Sequence, residues 1–562
     1  MSNTHNFSAL VEKHTATIDR ALAALRDRTF HAHWPEAPSG KIYGETANAD
    51  GQAAFEAQQN KPFDRLLQQG VVLHHGEEES PYGFSLGITY PVSSAEHLMH
   101  QASAAMKSWR ALSVRERAAV LVECLEDASK HFFEIAYATQ HTTGQGFVMS
   151  FQASGPHSFD RALEAMATGV FALEAFVPEQ EWTKPMGKMN VTLKKTFHVR
   201  PKGVNLTIGC STFPVWNTLP GMFASLITGA ATIAKAHTKV VYPIAIVVAS
   251  MQHTLARLGL DPHLVQLACG AHEHRITHDI LNNPLLGTVD YTGSSQFGNE
   301  VESICAKNNV VAFTEKAGVN NILLESAANL DAVLDNIAFS LSLYSGQMCT
   351  APQNIFVPQH GVKDGDALVT VDEVCSRLAA KIQGIAHNEK MGPTTLGALQ
   401  NSHTKDRLEA ASALDVQVIL PSESIAQPGF EHARTYSPLL LKAKAEQTDI
   451  YESEWFGPIA FVVPVQDFAQ GVQRMADIVR AHGALTSACY TTDSALQLQA
   501  EEAMIDAGAP IAFNFTGPIW INQSAAFSDF HGTGANKAGN ASYADLTFVT
   551  ARYNVIGTRV CA

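Results

Sequence analysis

The sequence predicts an α/β protein whose larger part is built on doubly wound parallel sheet. Two observations lead there. After Pro201-Lys202-Gly203, β-type runs alternate with helix-like segments. Val204, Leu206 and Ile208 alternate in one run, a helix rich in small apolar residues follows over 219–227, Gly229 ends it, and Thr232-Ile233-Ala234-Lys235 reads as the next strand. The alternation continues to about residue 325, and a second α/β block spans about 318–510. Strands separated by helices imply parallel pairing. The second observation is length: 562 residues exceed one hydrophobic core, so two or three domains are expected.

Composition excludes several function classes. Hydrophobic residues make up 46% and charged residues 17%, a globular rather than a disordered balance. Net charge is −15 and the basic pair Lys194-Lys195 is too short for a basic stripe, so no nucleic-acid partner is expected. The eight cysteines, Cys124, Cys210, Cys269, Cys305, Cys349, Cys375, Cys489 and Cys561, form no C-x-x-C pair, which argues against a zinc knuckle or a disulfide framework. His272-Glu273-His274 lacks the i,i+4 spacing of a helical metal site and reads as surface loop, so no metal is expected. The opening Met-Ser-Asn-Thr-His-Asn has no basic region followed by an apolar run. The longest apolar run, near 240–251, contains Pro243 and is too short to span a bilayer. A cytoplasmic protein without a membrane partner is the expectation.

Residues 1–80 are polar and irregular, with Pro35, Pro38 and Glu77-Glu78-Glu79, apart from an amphipathic segment at about 8–27 that reads as helix. From 96 to 140 the pattern is helical, and Ser113-Val114-Arg115-Glu116 matches a capping box opening a helix with Val120, Leu121, Cys124 and Leu125 on its apolar side. The segment from Asp290 through Thr292-Gly293-Ser294-Ser295 to Gly298 joins a strand to a helix; Gly293 permits a tight turn, and the hydroxyls and amides at the helix start suit a pyrophosphate. It is not the G-x-G-x-x-G fingerprint. The run from Val310 leads into Glu315, a strand-end carboxylate placed to act as a general base. Cys349 sits in Tyr344-Ser345-Gly346-Gln347-Met348-Cys349-Thr350, between a helix-like stretch over 330–343 and the strand-like Ile355-Phe356-Val357. A glycine turn there presents a thiol, which needs local activation because its ordinary pKa is about 8.5. The tail, 546–560, reads as β and suits pairing with another chain.

Taken in order, these motifs resemble the aldehyde dehydrogenase superfamily over about 95–530. Pro201-Lys202-Gly203-Val204 is similar to the strand before that family's catalytic turn, and Gly229 to Lys235 to its adenosine-ribose segment. Thr292 to Gly298 is similar to its phosphate turn, Glu315-Lys316-Ala317-Gly318 to its general-base motif and Gly346-Gln347-Met348-Cys349 to its nucleophile motif. Glu454-Trp455-Phe456-Gly457-Pro458 is similar to its nicotinamide-ribose motif. Within the superfamily the chain most resembles the phenylacetic-acid degradation aldehyde dehydrogenases of the PaaN type, in its long N-terminal extension and in the segments Phe515 to Asn522 and Asp529 to Asn536.

The resemblance implies an N-terminal extension (1–80), a cofactor-binding domain (81–317) with a β oligomerisation hairpin (183–201) inserted, a catalytic domain (318–520), and a return segment with a β oligomerisation tail (521–562). It implies a homodimer or homotetramer. It implies that Cys349 attacks an aldehyde, that hydride passes to NADP or NAD, and that Glu315 activates the water that releases the acid. Lys235 and Thr238 would meet the adenosine ribose, Gly293, Ser294 and Gly298 the phosphates, and Glu454 and Phe456 the nicotinamide ribose. The substrate would be a small aldehyde, with a CoA-linked semialdehyde among the candidates. Two positions depart from the pattern. Thr212 stands where the family usually has an oxyanion-stabilising asparagine, so either its hydroxyl or Asn217 would serve, beside the backbone N–H of Cys349. Thr238 stands where many NAD-using relatives carry glutamate, which removes repulsion of a 2′-phosphate and favours NADP. Two alternatives stay open: a CoA-acylating reductase, and a binding protein of this fold with little catalysis, suggested by Thr212 and Ala317.

Overall fold

The computed structural model describes residues 7–270, 276–316, 318–523, 526–527, 530–543 and 545–561. The first six residues, His272-Glu273-His274, Ala317 and Asp529 lie outside them.

The first sheet has five parallel strands, in spatial order Val311–Glu315, Leu286–Thr292, Val204–Ile208, Thr232–Lys235 and Val265–Ala268. Four of the five are buried along their whole length, as a parallel sheet covered on both faces requires. The strand order reverses between Val204–Ile208 and Leu286–Thr292. In doubly wound sheets the crevice beyond the carboxyl ends at that point is where ligands bind. The second sheet has seven strands, in order Gln417–Leu420, Leu439–Lys442, Ile459–Val465, Asn354–Pro358, Asn321–Leu324, Ser487–Tyr490 and Ala512–Phe513. Its first pair is antiparallel and the rest are parallel.

The helix Ser8–Asp27 and the capping box of Ser113 and Glu116 stand where the sequence puts them. The N-terminal 80 residues are less irregular than their composition suggests. A second helix, Ala47–Gln58, is disguised by glutamines and glycine; it buries Phe55, which stacks on His141 at 4.9 Å. Phe7, Trp34, Phe55, Phe63 and Leu66 enter the same hydrophobic core as the first sheet. The extension is thus part of that domain's core.

A three-stranded antiparallel sheet projects from this body. Its hairpin, Glu179–Met186 and Met189–Pro201, begins four residues before the expected 183. The tail also differs from its sequence reading. Leu546–Thr550 is helical, because Asp545 accepts a hydrogen bond from the Phe548 N–H at 2.8 Å and Phe548 and Val549 turn into the core. Only Tyr553–Cys561 is strand, and it pairs with Met189–Pro201 of its own chain at one edge of the three-stranded sheet.

One buried ion pair ties this tail to the first sheet. Arg552, at 1% exposure, donates to both carboxylate oxygens of Asp290 at 2.6 and 2.8 Å, to Ser225 Oγ at 2.8 Å and to the Phe548 carbonyl at 2.8 Å. Asn205 Nδ2 also donates to Asp290, at 2.8 Å. Gly221 makes room: a Cβ there would lie 2.4 Å from Asp290 Cγ. A buried pair broken on one side leaves an uncompensated charge. Arg552→Met is therefore expected to cost about 3–5 kcal/mol in denaturant unfolding, and Arg552→Met with Asp290→Asn to recover most of it. Equal losses in the single and double variants would contradict this account.

Candidate active site

The nucleophile loop is held from three sides. Helix Leu330–Ser342 ends, Tyr344, Ser345 and Gly346 take left-handed backbone (φ of 52°, 50° and 64°), and the chain re-enters the second sheet at Asn354. Gly346 is required for space as well as for φ, since a Cβ there would lie 2.3 Å from the Gly457 carbonyl oxygen. The Tyr344 hydroxyl donates to the Thr143 carbonyl at 2.6 Å. Asn320 Nδ2 donates to the carbonyls of Cys349 and Ala351 at 2.8 and 2.9 Å, while its Oδ1 accepts from the N–H groups of Leu485 and Thr486. The thiol therefore stands on a fixed backbone, partly buried.

Glu315 comes from the first sheet, as the last residue of Val311–Glu315. It is 1% exposed. The return segment runs beside this strand: the Thr314 N–H donates to Asn540 Oδ1 at 2.7 Å, Asn540 N–H donates to the Thr314 carbonyl at 3.0 Å, and Asn540 Nδ2 donates to the Ala312 carbonyl at 2.9 Å. That docking brings His531 to the base. His531 Nε2 lies 3.0 Å from Glu315 Oε2 and 4.0 Å from Cys349 Sγ. One donor atom from each of the three residues falls within 4.8 Å of the others.

The charges are strongly coupled. Burial raises the Cys349 pKa, and the neighbouring Glu315 carboxylate raises it further, so the thiol sits well above its ordinary value. Burial, the largest single effect, also pushes Glu315 up, but the charge and hydrogen bond of His531, the Cys349 hydrogen bond and the Arg161 charge together hold the carboxyl below its ordinary value. The resting site is a neutral thiol beside an ionised base.

A cavity of about 570 Å³ opens from this point along the carboxyl ends of the first sheet. Thr212, Lys235, Thr238, Gly293, Ser294, Glu315, Cys349, Glu454 and Phe456 all line it. Gly298 does not: it lies inside the helix Ser295–Lys307, where a Cβ would meet Lys316 Cδ at 2.7 Å and Tyr291 at 2.9 Å. Its role is helix packing behind the turn. Ser294 caps that helix, accepting from the Phe297 N–H at 3.4 Å. Lys235 is buried, with Nζ donating to the Ala236 carbonyl at 2.6 Å, and burial lowers its pKa. Burial pushes the Glu454 carboxyl up to about 7, against the opposing Arg407 charge and the Gly318 N–H. Arg407 also donates to the Phe456 carbonyl at 2.6 Å and so fixes the Glu454 loop.

Thr212 and Asn217 both line the cavity. The Thr212 carbonyl accepts from Gln145 Nε2 at 2.7 Å, and the Cys210 thiol donates to Asn217 Oδ1 at 3.1 Å. Sequence patterns assign no role to His531, Asn320 or Arg407. His531 lies in a segment that stood out as unusual, but nothing in a sequence puts it beside a thiol 182 positions away.

Comparison with known proteins agrees with this geometry. The model described as "Aldehyde dehydrogenase family" matches residues 90–548. A crystal structure described as an NAD-dependent aldehyde dehydrogenase from Burkholderia multivorans is 41% identical, covers 99% of each chain and superposes with a TM-score of 0.96. A 1-pyrroline-5-carboxylate dehydrogenase from Thermus with bound NAD is similar in fold, at 16% identity, 95% and 99% coverage of this and that chain, and a TM-score of 0.74. Lactaldehyde dehydrogenase from Escherichia coli is similar at 18% identity, 87% and 96% coverage and a TM-score of 0.67.

The coupling of thiol and carboxylate has a testable sign. Removing the negative charge lowers the thiol pKa. Glu315→Gln is therefore expected to speed iodoacetamide alkylation of Cys349 at pH 7.5 by about three- to tenfold, read by peptide mass spectrometry. Slower alkylation would contradict it.

Proposed function

The chain belongs to the aldehyde dehydrogenase family, and from that premise we propose that it oxidises an aldehyde to a carboxylic acid through an acyl thioester on Cys349. The observation that carries this reading is a thiol on a rigid loop of one domain meeting a buried carboxylate from the other, at the mouth of the switch-point cavity. The protein is an NAD- or NADP-dependent aldehyde dehydrogenase.

The cavity's chemistry fits such a cofactor. Lys235 lines the cavity, and among the described residues its Nζ has one protein acceptor, the Ala236 carbonyl, which leaves further donor capacity. The helix Ser295–Lys307 presents its N-terminus beside Gly293, as a pyrophosphate requires. Glu454 offers a half-buried carboxylate suited to ribose hydroxyls. Bound there, the cofactor supplies the hydride acceptor.

The chain's own residues do the rest. Cys349 loses its proton as its sulfur bonds to the carbonyl carbon, giving a thiohemiacetal, and oxidation of that adduct leaves a thioester. Glu315 then takes a proton from water as the water oxygen attacks the thioester, and the sulfur leaves with the bonding electron pair. Thr212, Asn217 and the Cys349 N–H are the candidate donors to the oxyanion.

Three finer assignments belong to the same proposal. The resemblance of 515–522 and 529–536 supports a substrate from aromatic-acid breakdown, with a CoA-linked semialdehyde the favoured class. The absence of a carboxylate at Thr238 supports a preference for NADP, with Lys235 and Lys239 attracting the 2′-phosphate. The exposed Trp182, Met186, Met189, Ile556 and Val560 of the projecting three-stranded sheet support a homodimer or homotetramer. Among the described residues no helix is long and apolar enough to cross a membrane.

Product analysis with CoA-linked semialdehydes tests the function. The wild type is expected to release the free acid, Cys349→Ala none, and Glu315→Gln to be slower by about 10²–10⁴-fold. Unchanged oxidation by Cys349→Ala would refute the mechanism; when free CoA is added, a new acyl-CoA thioester at the reacted carbon would replace hydrolysis by acylation. For the cofactor, kcat/KM with NADP is expected to exceed that with NAD by about tenfold; equal values, or better ones with NAD, would overturn the preference.

A further inference from the structure

His531 is not accounted for by the chemistry above. It is 4% exposed, its ring packs edge-on against Trp216 at 4.4 Å, and Nε2 reaches both Glu315 Oε2 at 3.0 Å and Cys349 Sγ at 4.0 Å. Among the described residues, Glu315 Oε1 is buried with no hydrogen-bond partner. A carboxylate with one oxygen clamped and the other open has a fixed direction for accepting a proton. An isolated carboxylate this deeply buried would instead favour its neutral form, which is no base.

We propose that His531 is a positioning residue of this site: its Nε2–H holds Glu315 Oε2 and leaves Oε1 as the proton acceptor, with the same ring edge 4.0 Å from the reacting sulfur. The inference rests on the acyl-thioester reading and adds a residue to it. In the first half-reaction the S–H bond of Cys349 breaks, its proton passes to Oε1 and the sulfur lone pair forms the bond to the carbonyl carbon. Glu315 returns that proton to solvent. In the second half-reaction Oε1 takes a proton from water as the C–S bond breaks. His531 neither gains nor loses a proton in the net cycle.

The surroundings favour this assignment. Among the described residues, the titratable and charged groups around His531 are Glu315 from the first sheet, Cys349 from its loop and Tyr543 from the return segment, whose ring is 6.2 Å away. Farther out, Glu454 bears on Cys349, and Arg161 bears on Glu315 while lying over Trp216. Glu315 is the carboxylate in contact with the ring. Trp216 fixes the plane of the imidazole, so rotation away from Glu315 is blocked on that side.

The test separates this inference from the parent reading by using 4-nitrophenyl acetate, which acylates a thiol with release of nitrophenolate and then requires water to deacylate. It needs no cofactor. The wild type is expected to give a burst followed by a slow phase whose acid limb lies below about pH 6. Loss of the burst in Cys349→Ala supports the parent reading; no burst in the wild type, or an undiminished one in Cys349→Ala, removes both. His531→Gln and His531→Asn keep an N–H donor but remove the imidazole. Each is expected to retain the burst, to deacylate about tenfold more slowly at pH 6.5 and to move the acid limb up by about one pH unit. A merely structural role would slow the reaction without moving that limb, and an unmoved limb would overturn the proposal. The wild type alone also decides it, should both variants fail to fold: a deacylation limb above about pH 7 would mean that Glu315 is not held ionised.

Discussion

Glu315 ends a strand at 1% exposure, and an anion there needs positive charge and N–H groups brought to it from elsewhere in the chain. Much of the architecture around the site can be understood from that requirement. The return segment has to lie along Val311–Glu315 so that His531 can reach the carboxylate, and Asn540 pins it there through the backbone of Ala312 and Thr314. The Arg552–Asp290 pair then anchors the chain beyond it, one strand away. Core packing, return path and electrostatics converge on one carboxylate.

The thiol faces the same constraint from the opposite direction. Its backbone is fixed by Asn320, Tyr344 and the left-handed turn, so it cannot move away from Glu315 to relieve the repulsion a thiolate would feel. The resting site therefore stores a neutral thiol beside an ionised base, and reaction requires a single proton to move between them. The loop before the second sheet carries the thiol, the first sheet carries the carboxylate, and the cavity that both line opens at the first sheet's switch point.

Both sheets were legible in the sequence, because buried parallel strands write themselves as short β-branched runs separated by helices. The placing of Cys349 and Glu315 was legible from their surroundings: Cys349 in a glycine turn between a helix and a strand, Glu315 at a strand terminus. Lys235, Gly293 and Glu454 were legible as parts of ordered motifs. What escaped the sequence depends on long-range docking. Helix Ala47–Gln58 has too little apolar periodicity to announce itself, and its burial of Phe55 is a tertiary fact. The start of the tail looked like strand because Phe548 and Val549 have β-type side chains, whereas the Asp545 cap and core contacts decide for helix. Gly298 looked like a phosphate-turn residue and is a packing glycine. His531 escaped because a histidine in a glycine-rich loop carries no local sign of its partner.

The ionisation of Glu315 in the resting protein is the most direct test of this account. Isotope-edited infrared spectroscopy with labelled glutamate, using Glu315→Gln to identify the band, reads the protonated and ionised carboxyl separately. The account predicts an ionised Glu315 at pH 6 in the wild type and a protonated one at that pH in His531→Gln. A protonated Glu315 in the wild type at pH 7, or the same titration with and without His531, would contradict it.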